Sequence, residues 1–367
     1  MGDVMRIRRK KDIMRVKKIT AMLLAGVLMT SALTGCGVNK DATVATMKEQ
    51  NVKMGLVNFM CRYQQAKSDD SYRSYFGENV WSQDLMGNGT TMADSLKENV
   101  LEQIHEYYTA QAHMDEYGVS LSDDEKKKIS ETATAFINAN TRSALKEMGA
   151  TQEIVEEMLT LATIQDKVKD AIYAKVDTNV SDEEANMRAY TMVEMSKEGK
   201  YDENNNYVEY TEEEQADVKE TATNVFDLVK NGTELETAAA GFGFSAKTGT
   251  YDADDSSLEE DVKNALDELK KGNTSELIET ETAFYIVRLD EETDKEATEE
   301  NRESIIQERK RTLYDETLEK WQEDDGWKVK ENRMKTIEFK NYFTQNDGSS
   351  DNSVEEIPST DTTESAE

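Results

Sequence analysis

Through the first half of the chain, apolar residues recur at spacings of three and four. Leu96-Val100-Leu101-Ile104-Tyr107-Tyr108 and Ile154-Met158-Leu161-Ile164-Val168 each place an apolar stripe on one side of a helix. The pattern predicts a helical region from 52 to about 175. Ser122-Asp123-Asp124-Glu125 has the make-up of a capping box, in which the hydroxyl and the glutamate satisfy each other's backbone N–H groups and start a helix. Gly118 and Gly149 read as helix C-caps. The stretch 72–89, with Trp81 and several glycines, reads as an irregular loop, and the Asp- and Tyr-rich text 68–77 as a helix end and not a strand.

The pattern changes at Ser181-Asp182-Glu183-Glu184, a second Ser-x-x-Glu start signal. A strand is predicted over 187–193, then a polar loop through Asn206 and a helix over 211–230 with Val218, Val225, Phe226 and Val229 inward, stopped by Asn231-Gly232. A short helix over 234–240 leads into Gly241-Phe242-Gly243-Phe244. Another helix, 258–269, closes at Lys270-Lys271-Gly272, and Ala283-Phe284-Tyr285-Ile286-Val287-Arg288-Leu289 has the strongest β-propensity of the chain. A long charged helix follows from 296 to about 321, then short strands at 327–330 and 334–339. From 345 onward Ser, Thr, Asp and Glu dominate, which predicts disorder. Repeated βαβ units, as in a solute-binding lipoprotein, are not written in this order. No phosphate loop, nucleophile elbow or zinc signature occurs.

The N-terminus adds an address. Eight Lys and Arg residues between Arg6 and Lys18 precede the apolar run Ile19-Thr20-Ala21-Met22-Leu23-Leu24-Ala25-Gly26-Val27-Leu28-Met29, the layout of a secretory signal. That run is short of the roughly 20 apolar residues a membrane span needs. It ends in Leu33-Thr34-Gly35-Cys36, which resembles a bacterial lipobox; the resemblance implies lipidation at Cys36 and a place on the outer face of the cell membrane. Two acyl chains suffice for a stable anchor, where one is marginal.

Charge narrows the partners. The chain carries −32, and without residues 1–35, which hold eight basic and two acidic residues, 36 basic stand against 74 acidic, near −38. Nucleic acid is excluded, because phosphate binding needs basic clusters. Cys61 is the one cysteine beyond Cys36, so no internal disulfide is expected and Cys61 reads as a small core residue. His105 and His113, the only histidines, lie two helical turns apart, too far for one metal ion, and read as ordinary helix residues. No metal or cofactor is expected. The single proline, Pro358, is in the tail, which leaves folded turns to Gly, Asn and Asp.

The order of elements over 185–290 resembles the parvulin type of peptidyl-prolyl isomerase domain. Arg188-Ala189-Tyr190-Thr191-Met192-Val193 stands where that family writes Arg-Ala-Ser-His-Ile-Leu. Leu269-Lys270-Lys271-Gly272-Asn273-Thr274-Ser275 resembles its Leu-Lys-Lys-Gly-Glu-Val-Ser turn, and 283–289 its closing Gly-Tyr-His-Ile-Ile-Lys-Leu strand. With helices before and a long helix carrying Trp321 after, the chain resembles extracytoplasmic foldase lipoproteins of the PrsA and SurA type. The resemblance implies an α+β fold class: a helical chaperone domain built from the N- and C-terminal segments, with a small parvulin-like domain inserted. The divisions are a signal peptide over 1–35, a lipidated tether over 36–50, a helical segment over 51–180, the parvulin-like domain over 185–290, a C-terminal helix with short strands over 295–343 and a disordered acidic tail over 345–367.

The resemblance also implies unfolded or partly folded secreted proteins as clients, with the N-terminal lipid as membrane anchor; a homodimer is left open. The family's two histidine positions are occupied by Thr191 and Tyr285, and the loop that supplies its Cys or Asp is compressed into 243–249. A Thr191–Tyr285 hydrogen bond across the strands is expected in their place, along with weak isomerisation or none. An altered but working isomerase pocket is the alternative. Phe242, Phe244 and Phe284 are the candidate peptide-binding floor, after their first role as domain filling.

Overall fold

The computed structural model describes residues 38–201, 206–340 and 342–343. The signal segment, Cys36 and the tail from 345 lie outside them. The chain divides into two compact units, Asp177–Arg309 and a discontinuous unit made of the segments before and after it.

The discontinuous unit opens with β1 (Thr43–Met47) and β2 (Gln50–Lys53), joined by the two-residue turn Lys48-Glu49 with Lys48 at φ 50°. This hairpin replaces the tether expected over 36–50. Val44, Ala45 and Val52 are completely buried, because β1 pairs on its other edge with Lys328–Val329 near the C-terminus. Local text cannot show that partner, which is 284 residues away in the register Ala45↔Val329.

Helix α1 (Met54–Phe76) follows, with Met54 to Arg62 buried without interruption. A helix buried on all sides is a central helix. Around it stand α2 (Met92–His113), α3 (Asp123–Ala139), α4 (Arg142–Met148) and α5 (Gln152–Tyr173). Ser122 and Glu125 form the reciprocal capping box, and Gly118 and Gly149 take left-handed backbone (φ 64° and 70°) where the preceding turns end. Phe59, Tyr63 and Phe136 meet with all three centroid separations at 5.8 Å, two of them edge to face, at the centre of the core. Cys61 is buried in it, and burial pushes its thiol up to about 12.

The inserted unit carries α6 (Asp182–Ala185), β3 (Arg188–Ser196), a hairpin of β4 (Gly199–Tyr201) and β5 (Tyr207–Glu209), α7 (Glu212–Lys230), α8 (Leu235–Ala240), β6 (Lys247–Tyr251), α9 (Glu260–Glu268), β7 (Ile278–Glu279) and β8 (Ala283–Glu291). Its four-stranded antiparallel sheet runs β6-β3-β8-β7. Gly249 is required opposite Tyr190, since a Cβ there would lie 2.7 Å from the tyrosine hydroxyl. The chain's entry and exit are tied together within this unit. Arg302 donates to Val180 O, and Arg309 to Asp177 O (3.0 Å), Asn179 O (3.1 Å) and the Glu184 carboxylate.

Helix α10 (Lys295–Gln322) carries the chain out of the insert, and from Lys310 its residues belong to the discontinuous unit. Tyr314 and Leu318 pack there with Ile164, Val168 and Ile172. The chain ends its described course with β9 (Lys328–Val329) and α11 (Glu331–Met334). A strand was expected over 334–339. The two inward residues, Met334 and Ile337, are three apart, which suits a helical turn and not alternation.

The two histidines do more than occupy a helix surface. His105 stacks on Trp327 (4.2 Å, 11°) with Nε2 2.5 Å from the buried Asp325 carboxylate, and His113 stacks on Trp321 (4.2 Å, 4°). Arg62, 2 % exposed, makes the deepest link to the returning segment. Its guanidinium donates to Gln65 Oε1, Glu338 O (3.0 Å) and Lys340 O, with Glu147 3.7 Å away. Burial pulls its ionisation below the ordinary arginine range, and Glu147 and Asp69 oppose that shift.

Two outcomes are expected. Arg62→Ala leaves the Glu338 and Lys340 carbonyls and the buried Gln65 amide without their donor and removes the cation beside Glu147, so urea unfolding should show a loss of about 3 kcal/mol or more. Glu106, half-buried on α2, has its carboxyl raised by burial, with Glu102 and Asp315 adding repulsion and the Gln165 amide (3.0 Å) opposing. The folded state then holds this proton more tightly than the unfolded chain, so stability is lost as pH rises through the raised value. Glu106→Gln should therefore raise Tm at pH 7, with the gain vanishing below the unfolded glutamate range of about 4.3.

Candidate functional site

Strands β3 and β8 form the centre of the inserted sheet, in the register Thr191↔Arg288, Met192↔Val287, Val193↔Ile286 and Glu194↔Tyr285. Directly opposed residues share a face and successive ones alternate. Thr191 therefore shares a face with Arg288, and Tyr285 shares the other with Glu194. The expected Thr191–Tyr285 hydrogen bond does not form, because the two side chains lie on opposite sides of the sheet.

On the first face, Val193, Met195, Phe284 and Ile286 pack against α7 and α8. Thr191 is 1 % exposed, and its hydroxyl is spent in both directions: it donates to Asp290 Oδ2 (2.6 Å) and accepts from an Arg288 guanidinium N–H (3.1 Å). Arg288 also donates to Asp290 Oδ1 (2.6 Å) and holds the Glu236 carboxylate with two N–H groups (3.0 and 2.7 Å). Those carboxylates, Glu236 foremost, raise the Arg288 ionisation and fix it as a cation.

On the second face, Tyr190, Met192, Tyr251, Val287 and Leu289 pack with Leu258, Val262 and Leu266 around α9. Tyr285 donates to Glu259 Oε1 (2.9 Å), which also accepts from Thr282 Oγ1 (2.7 Å). Burial raises the Tyr285 phenol, and its bond to the carboxylate raises it further; the hydroxyl of Thr282, ahead of the others, lowers Glu259. The pair is a neutral phenol on a stable carboxylate. It has no ionisation near neutral pH with which to move a proton.

The three phenylalanines do not make one floor. Phe284 is 1 % exposed within the α7–α8 core and is covered by the ammonium groups of Lys197 and Lys219, 5.1 and 5.8 Å from its ring. Phe244 is half-buried against the same core, and Phe242 alone stands out, at 40 % exposure. The sequence reading missed Arg288, Asp290, Glu236 and Glu259. A signal existed for the first two: charged residues at alternate positions of an otherwise apolar strand need partners on an inward face. Among the described residues, no group of three or more His, Cys, Asp or Glu side chains is arranged to hold a metal ion.

The two hydroxyls should differ in what they hold. Thr191→Val leaves Asp290 and Arg288 short of a buried partner and should cost about 1–3 kcal/mol in urea unfolding. Tyr285→Phe removes one of the hydroxyl donors to Glu259 and should cost about 1 kcal/mol.

Comparison with known proteins places this geometry in a family context. Residues 196–302 match the family model of the PPIC-type PPIASE domain, so Tyr285 lies inside the match and Thr191 before it. The foldase protein PrsA of Clostridium perfringens strain 13 is 24% identical over 347 residues, covering 87% of this chain and 97% of the relative, and that of strain ATCC 13124 is similar to the same extent. Among solved structures, the foldase protein PrsA of Lactococcus lactis aligns over 81% of this chain and 97% of its own, at 16% identity and a TM-score of 0.32. The peptidylprolyl isomerase (PrsA) of Bacillus cereus aligns over 70% and 97%, at 17% and 0.30. The inserted unit thus contains the PPIC-type match, and the chain is similar to foldase proteins PrsA along nearly the full length of those relatives.

Proposed function

We propose that this protein is a lipid-anchored, extracytoplasmic foldase that works chiefly by holding unfolded secreted chains, and that its parvulin-like domain isomerises proline weakly or not at all. The observation that carries the second half is the placement of Thr191 and Tyr285 on opposite faces of the sheet, each hydroxyl already spent on protein carboxylates. Prolyl isomerisation needs no nucleophile or metal. Its barrier of about 18–20 kcal/mol comes from amide resonance, and a catalyst lowers it by favouring the twisted amide with oriented donors in an apolar pocket. Neither hydroxyl is available as such a donor, and the inserted unit contains no histidine at all, since His105 and His113 both lie in the discontinuous unit.

The anchor reading rests on Leu33-Thr34-Gly35-Cys36 behind its basic and apolar leader. The client reading rests on what the relatives are called and on the exposed aromatic and methionine side chains of a strongly acidic, soluble surface. The second reading, a working isomerase with an altered pocket, is favoured by the Tyr285–Glu259 pair beside Leu258 and Val262 and by the PPIC-type match.

A protease-coupled proline-tetrapeptide assay on the chain lacking residues 1–36, run beside suppression of aggregation of an unfolded client, separates the two. The expected outcome is aggregation suppressed with isomerisation at the uncatalysed rate. Isomerisation well above that rate, abolished by Tyr285→Phe, would establish the second reading. Cys36→Ser should release the full chain from the membrane fraction; a variant still extracted only by detergent would rule out lipidation at that residue.

A further inference from the structure

We infer that Asn88 is a site of self-modification, at which the folded chain converts its own side-chain amide to aspartate or isoaspartate with the Asp84 carboxylate as the base. The inference is independent of the foldase reading. The tripeptide Asn-Gly-Thr occurs twice, at 88–90 and at 231–233, so local text gives both asparagines the same chance of reacting. The fold treats them differently.

The reaction joins a backbone nitrogen to the side chain before it. Gly89 N attacks Asn88 Cγ, its proton passes to a base, the Cγ–Nδ2 bond breaks, and ammonia leaves with that proton. Water then opens the cyclic imide at either carbonyl and leaves an aspartate or an isoaspartate. The net change is amide plus water to carboxylic acid plus ammonia, with nothing oxidised or reduced. Glycine after the asparagine leaves the attacking nitrogen unhindered. Three further parts speed the step: a base, a donor for the oxygen that gains charge, and a side chain folded toward the nitrogen.

The loop before α2 supplies all three. It is closed at its base, where Gln83 O accepts the Met92 N–H (2.9 Å). Within it, Asp84 Oδ2 accepts the Gly89 N–H (2.6 Å) and Asp84 Oδ1 the Asn88 N–H (3.2 Å), so a carboxylate touches the proton that has to leave. The Gly89 N–H, ahead of the other causes, lowers the Asp84 carboxyl, which keeps it charged at neutral pH. That N–H lies in the peptide plane, and attack uses the electron pair perpendicular to it, so the bond leaves the approach open. Asn88 Oδ1 accepts the Thr90 N–H (3.0 Å), an Asx turn that folds Cγ toward the Gly89 peptide and puts a donor on the oxygen that becomes anionic. Gly87 and Gly89 take left-handed backbone (φ 66° and 86°), with no atom within 4 Å of where a Cβ would stand. Asn88 and Gly89 are exposed, which admits the water.

Asn231 has none of these aids. It ends α7, and its Nδ2 donates to Asp227 O (2.7 Å), which turns the amide back along the helix. At ψ 8° the Gly232 nitrogen nearly eclipses the nitrogen of Asn231 and is turned away from its Cβ. The N–H groups of Gly232 and Thr233 go to Val229 O (2.9 Å) and Leu228 O (3.0 Å), carbonyls that are far weaker bases than a carboxylate.

The test incubates the full chain in non-ionic detergent at neutral pH, in water enriched in the heavy oxygen isotope, either folded or in guanidinium chloride. Peptide masses read each position, and an isoaspartyl methyltransferase labels the isoaspartate. In the folded chain, position 88 should convert about tenfold faster than position 231 and faster than position 88 of the denatured chain. The denatured chain should convert the two alike. Asp84→Asn, which keeps the size and one acceptor but removes the base, should bring position 88 down to its denatured rate and leave position 231 unchanged. A folded rate at 88 no higher than the denatured one, or equal to that at 231, overturns the site. A fast site that Asp84→Asn does not slow overturns the carboxylate as its base.

Discussion

The discontinuous unit depends on one buried cation. Arg62 sits buried on the central helix, and it is satisfied by the Gln65 side chain, the carbonyls of Glu338 and Lys340 and the nearby Glu147 carboxylate. A guanidinium taken out of water is tolerable only where its N–H groups find acceptors. The fold is therefore complete only when the last described segment of the chain lies against the first helix. The pairing of β9 with β1 and the stacking of His105 and His113 on Trp327 and Trp321 act in the same sense. Each joins residues that a whole inserted unit separates in sequence, so the long loop closure is offset by several independent contacts.

Within the insert, strand parity governs what the sheet can do. The register of β3 and β8 keeps residues 191 and 285 from ever sharing a face. The hydroxyls are absorbed by different networks, one around the Arg288 cation and one around the Glu259 carboxylate. Each network satisfies a polar group that would otherwise be costly in a half-buried position. The sheet is thus well specified, and the hydroxyls of Thr191 and Tyr285 serve its cohesion.

The acidic composition acts at the surface and not in the fold. Two examples are Lys167 on the Glu125 carboxylate and Lys271 on Glu291, pairs too exposed to contribute much stability. An acidic excess of this size favours solubility and makes like-charged surfaces repel one another.

Much of this was legible in the residues. The helices of 52–175, the capping box at Ser122, the glycine stops at 118 and 149, and the strands around Thr191 and Tyr285 all follow from local periodicity and end chemistry, which act over a few residues. What only the tertiary structure decided involves partners far apart along the chain. The text up to residue 50 is short and largely polar and is easily taken for a tether, yet 43–53 forms a hairpin whose Val44, Ala45 and Val52 are buried, with β9 on its other edge. His105 and His113 are partly buried helix residues, as their text allows, but their stacking on Trp327 and Trp321 is written nowhere near them. The faces of Thr191 and Tyr285 turn on a single step of register between two strands about a hundred residues apart, and one step moves every side chain to the other side of a sheet. Local sequence determines which elements form; the long-range pairing of strands and the burial of Arg62 determine which side chains meet.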